Sequence, residues 1–300
     1  MMDFKRVSVA GANCGLSAVD FGNQDKPDMV VLHGTHDHAL GMYPAVASLI
    51  EHYHVVGLDL RGHGQSDKPG NYTMLAMVAD LRALITALGL QNPVIVAHSM
   101  GGHIASRYAA LYTDEVCALA ILDGMGPPRP RKEWDGNKLV EIFRRGVTGA
   151  LRQERQSRRM QDMDEALARF VQNSPGLDEE CVGLIVGNGV EPHPEGGLRW
   201  RFDPSIDLMF HTYSDLDAEC MAALVECPVL LVTGEHALAF WHSIKLGVNV
   251  DANWYEQEQA RRRDLFQRAE WVVIPGAGHM LHYDKPLAVQ RVLEQFLLGA

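Results

Sequence analysis

Apolar runs and amphipathic stretches take turns along this chain. Short segments rich in Val, Ile and Leu, at 29–32, 54–58, 93–97, 118–122, 229–233 and 271–274, are separated by longer segments in which polar and apolar residues interleave. A short apolar run bounded by turn residues is a strand buried on both faces, and the interleaved segments are the helices that bury it. Helices are expected at 72–88, 101–112 and 286–298, and an antiparallel edge at 7–10 and 16–21. The expected fold class is α/β, a mostly parallel central sheet flanked by helices.

The alternation breaks once. Pro127-Pro128-Arg129-Pro130 opens a mainly helical, arginine-rich stretch, and strand character returns only after about residue 218. That stretch reads as a helical cap inserted at 127–218 into a core made of residues 1–126 and 219–300. No internal repeat argues for independent units.

Composition narrows the function classes. A chain of 300 residues, 47% hydrophobic, can hold one large core with an insertion. A net charge of −11 argues against a general binder of nucleic acid or anionic membrane, because both need a basic surface. A small-molecule substrate is the expected partner, and the oligomeric state stays open. Five cysteines, Cys14, Cys117, Cys181, Cys220 and Cys227, are spread without C-x-x-C spacing and read as reduced, mostly buried thiols. The first residues lack the apolar stretch of a secretory signal, and no apolar run approaches the roughly 20 residues of a membrane span, so a cytoplasmic location is expected.

Chemistry concentrates where the strands end, since loops and helix N-termini converge at the carboxyl edge of a parallel sheet. Val94-Ile95-Val96-Ala97 leads into His98-Ser99-Met100-Gly101-Gly102 and then a helix. This strand-turn-helix context makes Ser99 a candidate nucleophile, with Gly101 and Gly102 small enough for a tight turn. A serine hydroxyl needs an adjacent base. His279, in Pro275-Gly276-Ala277-Gly278-His279 after the last apolar strand, is the candidate; His282, next to the final helix, reads as an ordinary surface residue.

Taken together, Leu32-His33-Gly34, Asp59-Leu60-Arg61-Gly62-His63-Gly64-Gln65-Ser66, the Ser99 turn and Gly278-His279 resemble the α/β-hydrolase family, in the family's order and over nearly the whole chain outside the cap. Ala97 stands where the family usually carries glycine. The resemblance implies an oxyanion hole formed by the backbone N–H groups of Thr35 and Met100, which would stabilise the negative oxygen of a tetrahedral intermediate. It also implies a third residue, an acid that orients the histidine, usually a few residues after the penultimate strand. Here that segment reads Gly234-Glu235-His236-Ala237, with alanine at the expected acid. Asp123, after the strand that follows the Ser99 helix, and Glu235 are the replacements. Asp123 is favoured because some family members carry their acid there; its alternative role is to cap the turn at Gly124.

The expected reaction is acyl transfer from a small ester, or a lactone or related carbonyl compound, with no cofactor. The first loop, His33-Gly34-Thr35-His36-Asp37-His38, holds three histidines, but their spacing departs from that of a metallo-β-lactamase site, so no metal is expected. The same loop resembles that of cofactor-free quinolone dioxygenases, relatives that use a His/Asp dyad, and this is the alternative function. A ligand-binding receptor on the same fold is a second alternative. Epoxide hydrolases and haloalkane dehalogenases resemble the fold but use aspartate where Ser99 stands.

His36 and His38 are candidates to face the pocket. Trp241, with Phe240, Trp200 and Phe202, supplies aromatic surface for an acyl pocket or for core packing. Segment 144–159 carries six arginines and one acid, Glu154, and helical spacing aligns Arg145, Arg152, Arg155 and Arg159 as a solvated face or an anion-recognition stripe.

Overall fold

The computed structural model describes residues 3–128, 136–151, 158–211, 215–244 and 250–299. In chain order its strands are β1 (Lys5–Ala10), β2 (Gly15–Asp20), β3 (Asp28–Leu32), β4 (His54–Asp59), β5 (Val94–His98), β6 (Ala118–Leu122), β7 (Val190–Pro192), β8 (Leu198–Trp200), β9 (Val229–Gly234) and β10 (Ala269–Ile274). The α-helices are α1 (Tyr43–Val46), α2 (Met74–Leu88), α3 (Met100–Leu111), α4 (Gly136–Leu151), α5 (Met163–Gln172), α6 (Glu179–Gly189), α7 (Asp215–Ala222), α8 (Ala237–Ser243), α9 (Ala252–Arg263), α10 (Leu281–Asp284) and α11 (Pro286–Leu298).

Eight strands form one sheet in the order β1-β2-β4-β3-β5-β6-β9-β10. β2 runs antiparallel to both β1 and β4, as the edge segments led us to expect, and β4, β3, β5, β6, β9 and β10 run parallel. The short apolar runs are strands because both of their faces are buried. Val30, Leu32, Ile95, Ala97, Leu119 and Ile121 join the apolar cluster under α2 and α3. Their sequence neighbours Met29, Val31, Val94, Val96, Ala120 and Leu122 join the cluster on the opposite face, against α1 and α11.

Between β6 and β9 the described residues hold α4, α5, α6, the β7-β8 hairpin, a 3₁₀ helix at Pro204–His211 and α7. A small cluster of Met160, Ala166, Val182, Val186 and Val190 holds part of this stretch together. Ile206, Met209 and Ala222 instead join the main core under α3. No described helix is long and apolar enough to cross a membrane. Of the cysteines, Cys181 and Cys227 are buried, Cys14 is half-buried, and Cys117 and Cys220 are exposed, which corrects the expectation of mostly buried thiols.

Candidate active site

β5 ends at His98 and α3 begins at Met100, so Ser99 alone turns the chain. Its backbone lies at φ 49°, ψ −116°, a conformation that costs a residue with a side chain about 1–3 kcal/mol. Two bonds hold it there: Ser99 N–H donates to Leu122 O at 3.0 Å and Gly102 N–H donates to Ser99 O at 2.9 Å. A methyl group on Gly101 would stand 2.7 Å from Leu32 O, and one on Gly102 2.7 Å from Ile121 Cγ2. The two glycines therefore let α3 start directly against β3 and β6. Ala97 packs its methyl into the cluster under α2 and α3.

The loop after β10 brings His279 to this turn. Gly278 N–H donates to Asp284 Oδ2 at 2.7 Å, Gly276 N–H donates to Glu235 Oε2 at 2.8 Å, and His236 N–H donates to Ala277 O at 2.8 Å. His98 Nε2 donates to the carbonyl of His279 itself at 3.0 Å. So placed, the His279 ring bridges two groups: Nε2 is 3.1 Å from Ser99 Oγ and Nδ1 is 2.5 Å from Asp123 Oδ2. These partners assign the tautomer, with Nδ1–H donating to the carboxylate and Nε2 free to accept from the serine hydroxyl.

Asp123 follows β6 directly and has φ 44°, which aspartate tolerates better than most residues. Its N–H donates to Val232 O at 2.7 Å. Of the two acids open from sequence, Asp123 is buried and meets His279, whereas Glu235 is 55% exposed at its side chain and engages the Gly276 backbone.

Thr35 follows β3 in a loop pressed against Ser99: a methyl group on Gly34 would stand 2.6 Å from His98 Nδ1 and 3.0 Å from Ser99 Cβ. Thr35 Oγ1 is 3.7 Å from Met100 Sδ, so the two residues are adjacent. As the first residue of α3, Met100 has an N–H with no acceptor within the helix. Two buried imidazoles clamp this loop. His33 donates from Nδ1 to Gly34 O at 2.6 Å and accepts from Leu60 N–H at 3.0 Å. His63 accepts at Nε2 from His36 N–H at 3.1 Å and donates from Nδ1 to Arg61 O at 3.1 Å. Burial lowers the pKa of both rings, which keeps the accepting nitrogens unprotonated. Arg61 is in turn fixed by Asp80, at 2.6 and 2.7 Å. The Asp59–Ser66 motif thus supports the loop that carries Thr35.

The histidines of the first loop go to separate partners. The half-exposed His36 side chain pairs with Asp207 at 3.0 Å and stacks on Phe202 with centroids 4.2 Å apart. His38 is buried and donates to Ile185 O at 3.0 Å. Among the described residues, no group of three or more His, Cys, Asp or Glu is arranged to hold a metal ion.

His282 departs from the surface position expected of it. The residue is fully buried, its ring 4.5 Å from that of His98 and its Nε2 3.7 Å from Asp37 Oδ2. Burial opposes the ionisation of Asp37, but the facing His282, His38 and His33 hold its carboxyl well below the usual range. Arg145 pairs with Glu141 on the exposed face of α4, and Arg159 donates to Glu195 O at 3.2 Å. Arg152 and Arg155 lie outside the described residues.

Of the aromatic residues expected to supply an acyl pocket or core packing, two reach His279. Phe240 and Trp241 of α8 pack around His279, and Trp200 packs with Phe170 instead. Tyr255 of α9 is buried with its hydroxyl 3.4 Å from Asp123 Oδ1. Burial and the neighbouring carboxylate push its pKa well up, so the phenol remains a donor. Only a Trp-Tyr pair in an otherwise polar helix marked it in the sequence.

Comparison with known proteins agrees with this architecture. The serine hydrolase-like protein of Mus musculus is 26% identical over 292 residues, covering 93% of this chain and 91% of its own length. Epoxide hydrolase 3 of Xenopus tropicalis is 27% identical over 295 residues, covering 92% of this chain and 72% of its own. The solved structure of E-2-(acetamidomethylene)succinate hydrolase superposes with a TM-score of 0.74 at 24% identity, over 99% of this chain and 100% of that one. The family profile described as alpha/beta hydrolase fold matches residues 27–286. With that match and an eight-stranded sheet whose parallel strands deliver Ser99, Asp123 and His279 to one edge, the chain belongs to the alpha/beta hydrolase fold family.

Proposed function

We propose that this protein is a serine hydrolase that cleaves a small-molecule ester, or a lactone or related carbonyl substrate, through an acyl-enzyme on Ser99. One observation carries the reading: the His279 ring spans Ser99 Oγ at 3.1 Å and Asp123 Oδ2 at 2.5 Å. Ser99 attacks the carbonyl carbon as His279 Nε2 takes its proton. The N–H groups of Thr35 and Met100 bind the oxyanion, and Asp123 stabilises the imidazolium. His279 then returns the proton to the leaving group. Water attacks the acyl-enzyme by the same base, which releases the acid and frees the serine.

The stretch 127–218 is the cap in this reading, and its chemistry selects the substrate. His36 and Trp241 are the side chains assigned to the substrate pocket. The location is cytoplasmic, and neither nucleic acid nor membrane is a partner. The test is labelling with a fluorophosphonate probe, followed by a panel of short p-nitrophenyl esters and lactones. Covalent capture at Ser99 with Ser99-dependent turnover is expected. Oxygen consumption with a hydroxyquinolone and no capture of Ser99 would replace this reading with the dioxygenase one, and capture without turnover on any panel member would point to a receptor.

A further inference from the structure

Three rings enclose His279. Phe240 lies face to face with it, centroids 4.1 Å apart and planes 8° apart. Trp241 meets it edge-on at 5.1 Å and 63°, and His98 is tilted at 4.9 Å and 49°. The residue is 6% exposed. A base that activates serine has to carry the proton it takes, so the groups around the ring bear on how well it does so.

The charged and titratable groups near the ring, among the described residues, are these. Asp123, at the end of β6, is the anion in contact. From β5, His98 donates to the His279 carbonyl, and burial together with its neighbours His282 and His279 holds its pKa well below the ordinary value, so it brings no positive charge. His282 of α10 and Asp37 lie behind His98. Tyr255 of α9 reaches Asp123 and not the imidazole. Asp284 of α10 is bound to Gly278 N–H, and Glu235 and His236 at the end of β9 are exposed and face the loop backbone.

A ring parallel to the imidazole favours its protonated form, because a cation is drawn to the negative face of an aromatic π-system. We propose that Phe240 is a positioning residue that stabilises the protonated form of His279 through its ring face and so sets the basicity of the base; this rests on His279 acting as that base. Where the family's acid would stand the chain has Ala237, the first residue of α8, and one turn later the same helix carries Phe240 onto His279.

The test is an NMR titration of His279 in protein labelled at histidine, wild type against Phe240→Leu, which keeps an apolar side chain over the ring but removes the π-face. The midpoint is expected to fall by roughly half to one unit, the acid limb of kcat/KM to move with it, and Phe240→Tyr to restore both. Pentafluorophenylalanine at position 240, of similar shape with reversed ring polarity, should also lower the midpoint and covers the case in which the leucine variant folds poorly. An equal or higher midpoint in these variants overturns the proposal. Ser99→Ala tests the parent reading separately: turnover retained there sinks the acyl-enzyme, while a titration shift would still establish the stacking effect.

Discussion

Asp123 Oδ2 accepts a hydrogen bond from His279 Nδ1 at 2.5 Å although 156 positions separate the two residues in sequence. The contact exists because β6 and β9 are neighbours and the loop after β10 folds back over the ends of both. It puts Asp123 at the end of β6 beside His279, in a chain that has Ala237 near the end of β9. Asp123→Asn should lower kcat by about 10³–10⁴, because the amide favours the wrong imidazole tautomer. Glu235→Gln should leave kcat within about threefold, since its carboxylate touches an exposed backbone turn. Steady-state kinetics on one ester would check both, and the reverse ranking would move the acid to Glu235.

Tyr255 donates to the Asp123 oxygen that His279 leaves free, at 3.4 Å. Tyr255→Phe removes only that donor. A loss of about 3–10-fold in kcat with little change in KM is expected, in line with one long hydrogen bond to a carboxylate. An unchanged kcat would reduce Tyr255 to a packing role.

Gly34 brings the Thr35 loop close against Ser99. A methyl group there would sit 2.6 Å from His98 Nδ1 and 3.0 Å from Ser99 Cβ. Gly34→Ala should displace the oxyanion loop and lower kcat/KM about 100-fold, with the fold retained by circular dichroism. Full activity in this variant would mean that Thr35 does not bind the oxyanion.

Four buried imidazoles give stability a pH dependence. Burial lowers the pKa of His33, His63 and His98, and that of His103 to about 3. Below about pH 6.5 the unfolded chain binds protons that the folded chain refuses. The stabilisation is complete above that value and is lost as the pH falls toward the folded pKa values. Between pH 7.5 and 5.5 each imidazole removes at most about 1.4 kcal/mol. Urea unfolding at the two pH values should show a loss of several kcal/mol, and equal stabilities would show that these rings titrate in the folded state as they do in the unfolded chain.

The sheet was legible because burial on both faces writes a short, wholly apolar run, as in Val94-Ile95-Val96-Ala97 and Ala118–Leu122. Ser99 and His279 were legible because a tight strand-helix turn and a loop folded over the sheet end demand glycines nearby. Asp123 came to notice only because Ala237 cannot act as an acid. The burial of His282 was hidden, since a histidine beside a helix start looks the same whether it faces water or His98. Tyr255 was hidden for a related reason: its contact crosses between elements whose relative placement no local pattern records. The β7-β8 hairpin, with three-residue strands, was too short to show periodicity against its helical surroundings.

The central claim is tested most directly by trapping the intermediate. Mass spectrometry of protein quenched by acid within milliseconds of mixing with a p-nitrophenyl ester should show the added acyl group on the peptide containing Ser99, and none in Ser99→Ala. Turnover without any adduct at Ser99, or undiminished turnover in Ser99→Ala, would contradict it.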